Sequence, residues 1–335
     1  MSSNQKKAPF KCEPGHCLIL LRFLESVYGR HVRINAGVSP IKKSLAMKLM
    51  EPEVALSLKN ILLAVDFSPA SEPAVRYARA IARQYLSDVH TIHVNGPDSY
   101  HLLSPEAFRV AIRDRQIPAD VGHLINHLLE GLPNEVPLRH EGIWGVIADV
   151  IARNQIDLLV LGTHGRTGLA KFVAGSISEQ VLRNVYCPVL TIGPKVPPAG
   201  EKLNFQNVLL ATDLDPCSAA PLYAGWLCSQ FGGSLTTLHI TSEFNGKSAN
   251  DRDQVSQVKA MLAANHFFKP SRIFIQSGTP SAKILETISI LRPNMIVLGA
   301  RHPARPAISE HLPWSTVSKV IAGAKCPVLT VRELM

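Results

Sequence analysis

Gly162-Thr163-His164-Gly165, then nine residues, then Gly175-Ser176, is a spacing suited to holding an oxyanion-rich group such as a phosphate chain. Glycine lets the backbone approach a phosphate closely and adopt positive φ, so that main-chain N–H groups can converge on it. A helix starting near Ser176 would add unpaired N–H groups and the positive end of its dipole. Ser176 itself reads as a hydroxyl donor or simply as the N-cap of that helix. The run Leu158-Leu159-Val160-Leu161 leads into the loop, as a strand buried on both faces would. A second apolar run, Asn60 to Val65, ends in Asp66, which could also do no more than cap the helix after it.

These runs belong to a repeat. Asn60-Ile61-Leu62-Leu63-Ala64-Val65-Asp66 returns as Asn207-Val208-Leu209-Leu210-Ala211-Thr212-Asp213. Leu158 to Gly162 returns as Met295 to Gly299, and Cys187-Pro188-Val189-Leu190-Thr191 as Cys326-Pro327-Val328-Leu329-Thr330. The order of the three landmarks is conserved between copies and their offsets are 147, 137 and 139 residues, so each unit is about 140 residues long. Two domains also suit 335 residues at roughly 100 to 200 residues each.

Within the first unit, strands are expected near 60–66, 89–94, 136–140, 157–162 and 189–192. Helices are expected after Ser68-Pro69, from Pro105 toward Leu129, over 146–152 and over 176–183. The second unit repeats this with strands near 207–213, 235–240, 272–276, 295–299 and 328–332. Alternating strands and helices predict right-handed crossovers and a parallel sheet covered on both faces. Ligands in such sheets sit beyond the carboxyl ends of strands where chain order reverses, here beside strands one and four. The last strands, 189–192 and 328–331, are apolar edges that need cover.

The chain is basic, with 35 Lys and Arg against 26 Asp and Glu, which invites a nucleic-acid reading. Its location removes that reading: residues 1–49 hold nine basic residues and two acidic ones, so the 286 that follow are nearly neutral. Leu18 to Leu24 is interrupted by Arg22 and no small-residue cleavage site follows, so neither a signal peptide nor a membrane span is expected. Six scattered cysteines make no disulfide framework and fit a reducing cytoplasm. Cys12, His16 and Cys17 lack a second ligand pair, so no metal site is expected there.

From about residue 55 to the end the chain resembles a tandem universal stress protein, two domains of the universal stress protein A-like family. The resemblance implies an α/β fold: two tandem open five-stranded parallel sheets of order 3-2-1-4-5, Rossmann-like, with helices on both faces. The domains would be a basic, poorly ordered extension over 1–54, a first domain over 55–195, a linker over 196–204 and a second domain over 205–335. For members with the G-x2-G-x9-G-[ST] pattern it implies ATP binding, with Mg2+ or Mn2+, and this sequence meets the pattern at Gly162, Gly165, Gly175 and Ser176. By the same resemblance, Asp66 would bind the ribose hydroxyls, Val94 and Ala64 would line the adenine pocket, and His164 and Ser178 would lie near the phosphates. A carboxylate can indeed accept hydrogen bonds from a vicinal diol.

The second unit departs from the pattern. His302 stands where the second glycine should, Trp314-Ser315 stand opposite Gly175-Ser176, and Pro303, Pro306 and Pro313 stiffen the loop, so this site is expected to bind ATP poorly while Asp213 remains. The expected protein is a cytoplasmic ATP-binding regulator of the stress response and not an enzyme. It has no nucleic-acid or membrane partner, and its last strands pair into an intramolecular pseudo-dimer, with a homodimer as a further option. The alternatives are a slow ATPase or nucleotidyl transferase using His164, or an interaction module without ligand.

Overall fold

The computed structural model describes residues 58–65, 71–94, 99–106, 136–137, 142–162, 181–182, 185–200, 202–215, 218–241, 251–264, 272–300 and 314–332. All of them lie within one unit, Leu56–Glu333. The expected poorly ordered extension over 1–54 lies outside the described residues. The strands in chain order are β1 (Asn60–Val65), β2 (Asp88–Val94), β3 (Ser99–Leu103), β4 (Val136–Pro137), β5 (Leu158–Gly162), β6 (Val189–Ile192), β7 (Asn207–Thr212), β8 (Ser234–Thr241), β9 (Arg272–Ser277), β10 (Met295–Ala300) and β11 (Val328–Arg332). The helices are α1 (Glu72–Tyr85), α2 (Gly142–Arg153), α3 (Ala220–Phe231), α4 (Asp251–Ala264), α5 (Pro280–Leu291) and α6 (Trp314–Gly323).

The strands form one sheet of eleven, in the order β4-β3-β2-β1-β5-β6-β11-β10-β7-β8-β9. In the second half the order is the expected 3-2-1-4-5, every pair parallel. The first half differs by an added strand. β3 pairs antiparallel with β2, and β4 pairs antiparallel with β3, which displaces the predicted third strand one place outward. The four residues before β3 are Asn95-Gly96-Pro97-Asp98, a turn-rich stretch that signals a hairpin. Pro137 has no N–H for a ladder, and its place on the edge strand β4 needs none. The two expected sheets are also one sheet, because β6 and β11 pair antiparallel with Leu190 opposite Leu329.

The same clamp sets the register of the first and fourth strands in each half. The Asn60 N–H donates to Asp157 Oδ2 at 2.9 Å and the Asp157 N–H donates back to the Asn60 carbonyl at 2.8 Å. In the second half the Asn207 N–H donates to Asn294 Oδ1 at 3.0 Å and the Asn294 N–H returns to the Asn207 carbonyl at 2.8 Å. Between these clamps the strands are buried on both faces. Leu62, Leu159, Leu161, Leu209, Ile296 and Leu298 pack with α2, α5 and α6 in one core cluster. Their intervening neighbours Ile61, Leu63, Val160 and Leu210 are equally buried, as a doubly covered sheet requires.

On the second face α1 touches β1, β2, β5 and β6, while α3 touches β7, β8, β10 and β11. The helices flank the seam; Val196 and Leu203 of the segment predicted as a linker are buried, and Phe205, which opens the predicted second domain, packs between the helices. Phe205 stacks on Tyr77 of α1 at 6.5 Å between centroids and meets Phe231 of α3 edge-on at 5.1 Å. The two first helices also meet across the seam, with the Tyr85 ring of α1 5.8 Å from that of Trp226 on α3.

The seam is asymmetric at one equivalent pair. Gly193 follows β6 where Arg332 ends β11. A Cβ on Gly193 would lie 2.5 Å from the Ile321 carbonyl oxygen, whereas the Arg332 guanidinium donates to the Leu182 carbonyl at 3.4 Å. Gly193→Ala is therefore expected to destabilise the protein by about 1 to 3 kcal/mol, because a backbone oxygen must shift. An unchanged midpoint in urea unfolding would contradict this packing.

Burial also sets the alkaline limit. It pushes the Tyr77 and Tyr85 phenols up to about 12 from 10.0, and the thiols of Cys187, Cys228 and Cys326 up to about 12 from 9.0. The folded chain thus holds these protons more tightly than the unfolded chain. The resulting stabilisation is complete below about pH 9 and is lost as the pH rises toward 12. The melting temperature is expected to fall steadily above about pH 9; a level profile through that range would refute the assignment.

Candidate functional site

The chain leaves β1 toward β2 on one side and returns to β5 on the other, so the order reverses between β1 and β5. At their carboxyl ends Ala64 is level with Ile92 of β2 and with Leu161 of β5. Val94 ends β2 two residues beyond Ile92, and Gly162 ends β5 one residue beyond Leu161. Of the sequence-predicted residues, Val94 and Gly162 therefore close β2 and β5, and Ala64 stands one residue before the end of β1 between them, all at one end of the sheet. Neighbouring strands lie about 4.8 Å apart, so these three positions stand side by side along the carboxyl edge of the sheet, at the point where chain order reverses. Asp66, His164, Gly165, Gly175, Ser176 and Ser178 lie outside the described residues.

The equivalent end of the second half includes its first loop. Leu214 adopts φ 63°, and its N–H donates to Thr212 Oγ1 at 3.0 Å. The Asp215 N–H donates to Asp213 Oδ1 at 3.1 Å, so one oxygen of Asp213 braces its own turn, a local role that aspartate fills well. His239 Nδ1 lies 2.9 Å from the Thr212 carbonyl oxygen, an acceptor, which places the proton on Nδ1. Gly299, the counterpart of Gly162, admits this loop: a Cβ there would stand 2.7 Å from Ser218 Oγ. This glycine, one residue before the end of β10, thus has a packing function in the second half. The replacements at His302 and Pro303 lie outside the described residues, as does the side chain of Trp314.

Sequence reasoning missed the histidine. Thr91-Ile92-His93-Val94 and Thr237-Leu238-His239-Ile240 are a further repeated tetrapeptide, and their histidines hold the same register, His93 opposite Val65 and His239 opposite Thr212. Both threonines are buried, and neither Thr91 Oγ1 nor Thr237 Oγ1 has a hydrogen-bond partner. The repeat was there to be read, but a polar residue inside an apolar strand gives no sign of which end of the sheet it approaches.

The buried thiols are poor nucleophiles, since burial holds Cys187, Cys228 and Cys326 protonated at neutral pH. Among the described residues no group of three His, Cys, Asp or Glu side chains could hold a metal ion. Among them, too, no helix is long and apolar enough to cross a membrane.

Comparison with known proteins agrees with the repeat. The sequence model of the Universal stress protein family matches twice, over residues 57–193 and 204–332. A universal stress protein of Methanocaldococcus jannaschii is 28% identical over 149 residues, which is 40% of this chain and 81% of the relative. The solved universal stress protein of Archaeoglobus fulgidus superposes with a TM-score of 0.51 at 20% identity, covering 83% of this chain and 98% of its own. A functionally unknown protein of Pseudomonas aeruginosa does so with a TM-score of 0.53 at 17% identity, covering 83% and 94%. At these identities the solved structures speak for the fold alone. Two matches of the family model, over most of the chain and in the order of the internal repeat, make this chain a member of the universal stress protein family with two copies in tandem.

Proposed function

We propose that the chain is an ATP-binding regulatory protein of the cytoplasmic stress response, holding one nucleotide in its first half and carrying out no turnover. The observation that carries this reading is the convergence of Ala64, Val94 and Gly162 at the carboxyl ends of β1, β2 and β5, where the chain order reverses. Gly162 there opens the Gly162-x2-Gly165-x9-Gly175-Ser176 loop. In this reading Ala64 and Val94 line the adenine pocket and Asp66 accepts from the ribose. Main-chain N–H groups of the loop, with His164 and Ser178 close by, take the phosphates. Mg2+ or Mn2+ would enter on the phosphate oxygens.

The domain limits that accompany this reading are 55–195 and 205–335, acting as an intramolecular pseudo-dimer across β6 and β11, with the second half as a partner of low affinity for ATP. The test is mass spectrometry of small molecules released by denaturing freshly purified protein with Mg2+ retained, together with calorimetric titration of ATP. One adenine nucleotide per chain, or one binding event per chain, is expected. Protein that carries no nucleotide and gives neither heat nor thermal shift with ATP would overturn the reading.

A further inference from the structure

We propose that the outer edge of β9 is a self-association surface, at which two copies of this chain join antiparallel through Arg272–Ser277 and continue the sheet from one molecule into the next. On one side β9 pairs with β8, and among the described residues no strand pairs with its other side. Every second residue of a strand paired in parallel turns its N–H and C=O away from its neighbour, so β9 keeps a row of main-chain donors and acceptors for a partner. The strand holds neither Pro nor Gly, and its one charge is Arg272. None of its six residues is buried, whereas β8 beside it holds Leu235, Thr237 and Leu238 at 0% exposure. Ile273 and Ile275 lie on one face and Phe274 on the other, so both faces of the open edge are apolar.

The strand is complementary to a second copy of itself. With a two-fold axis at Phe274 that residue faces its own copy, Ile273 lies opposite Ile275, and Arg272 lies opposite Gln276. The first two kinds of pair join apolar side chains across strands. The third brings guanidinium donors to the Gln276 side chain, whose Oε1 has no hydrogen-bond partner within the chain. The molecule already contains a junction of this construction, for β6 and β11 pair antiparallel with the repeat-equivalent residues Leu190 and Leu329 opposite each other. The far end of the sheet cannot add a further copy in the same way, because β4 has two residues and one of them is Pro137. Association through β9 is therefore isologous and closes at two chains. One strand pair buries less surface than a standard interface, so the dimer is weak and forms with rising concentration.

Sedimentation of the full-length chain over a wide range of concentration tests the surface, with a monomer and dimer in exchange as the expected result. Ile273→Lys and Ile275→Lys each set two ammonium groups into the joined edge and are expected to weaken the dimer at least about tenfold, with circular dichroism unchanged. The register has its own test. Phe274→Cys places two thiols opposite each other and is expected to give more disulfide-linked dimer on air oxidation than Ile275→Cys, and more than wild type with its own six cysteines. These cysteine variants decide alone should the lysine variants misfold. A chain that sediments as a monomer at every concentration would overturn the proposal, and an extended peptide that bound the edge of such a monomer would identify the other occupant. A dimer unmoved by both lysine variants would place the contact elsewhere and overturn it equally. Stronger cross-linking at position 275 than at 274 would overturn the register.

Discussion

Gly165→Val/Gly175→Val is expected to weaken ATP binding about a hundredfold, the loss of roughly 3 kcal/mol that two charge-assisted hydrogen bonds to phosphate represent. The loss is steric and electrostatic together. A backbone cradle works because nothing stands between its N–H groups and the phosphate oxygens, and a valine at either position puts a branched Cβ there. The second half supplies an internal measure of how close such packing becomes, for at the end of its fourth strand even one carbon on Gly299 would stand 2.7 Å from Ser218 Oγ. Calorimetric titration of ATP against wild type decides the matter. Equal affinity, with the variant folded by circular dichroism, would remove the glycine loop from the site.

Phe205→Ala is expected to be among the most destabilising single changes in the described structure, at about 3 to 5 kcal/mol, because it empties a buried aromatic position. Phe205 is 4% exposed and touches both halves at once, stacked on Tyr77 and edge-on to Phe231. The loss should lower the midpoint of a single cooperative transition, since α1, α3 and the start of the second repeat share this cluster. Urea unfolding followed by circular dichroism and by tryptophan emission is the measurement. A change below about 1 kcal/mol, in the range of surface substitutions, would mean that Phe205 is not part of the core shared by the two halves.

Much of this was legible in the residues and part was not, along a clear line. The buried strands announced themselves as apolar runs because a strand covered on both faces has no polar side to show. The duplication was visible because its landmarks are strand ends and tight turns, where side-chain choice is restricted. Of the candidate site, Gly162 could be assigned to the carboxyl end of the sheet because it ends a strand whose direction the crossover rule sets, whereas Ala64 and Val94 entered only through the family resemblance. The role of His239 could not, since a histidine in a strand has no local signature of the carbonyl it will meet.

Sequence alone thus determined that this chain is α/β, is built twice from one pattern, and has its basic charge outside both copies. The family resemblance implied that the last strands pair, but tertiary structure alone decided that β6 and β11 do so antiparallel with Leu190 opposite Leu329, that β3 enters between β2 and β4, and that Phe205 sets its ring between the halves. The reason is the range of the forces involved. Periodicity records only whether a residue is buried, whereas the choice of partner is made among distant segments that bury the same apolar surface equally well and differ only in shape.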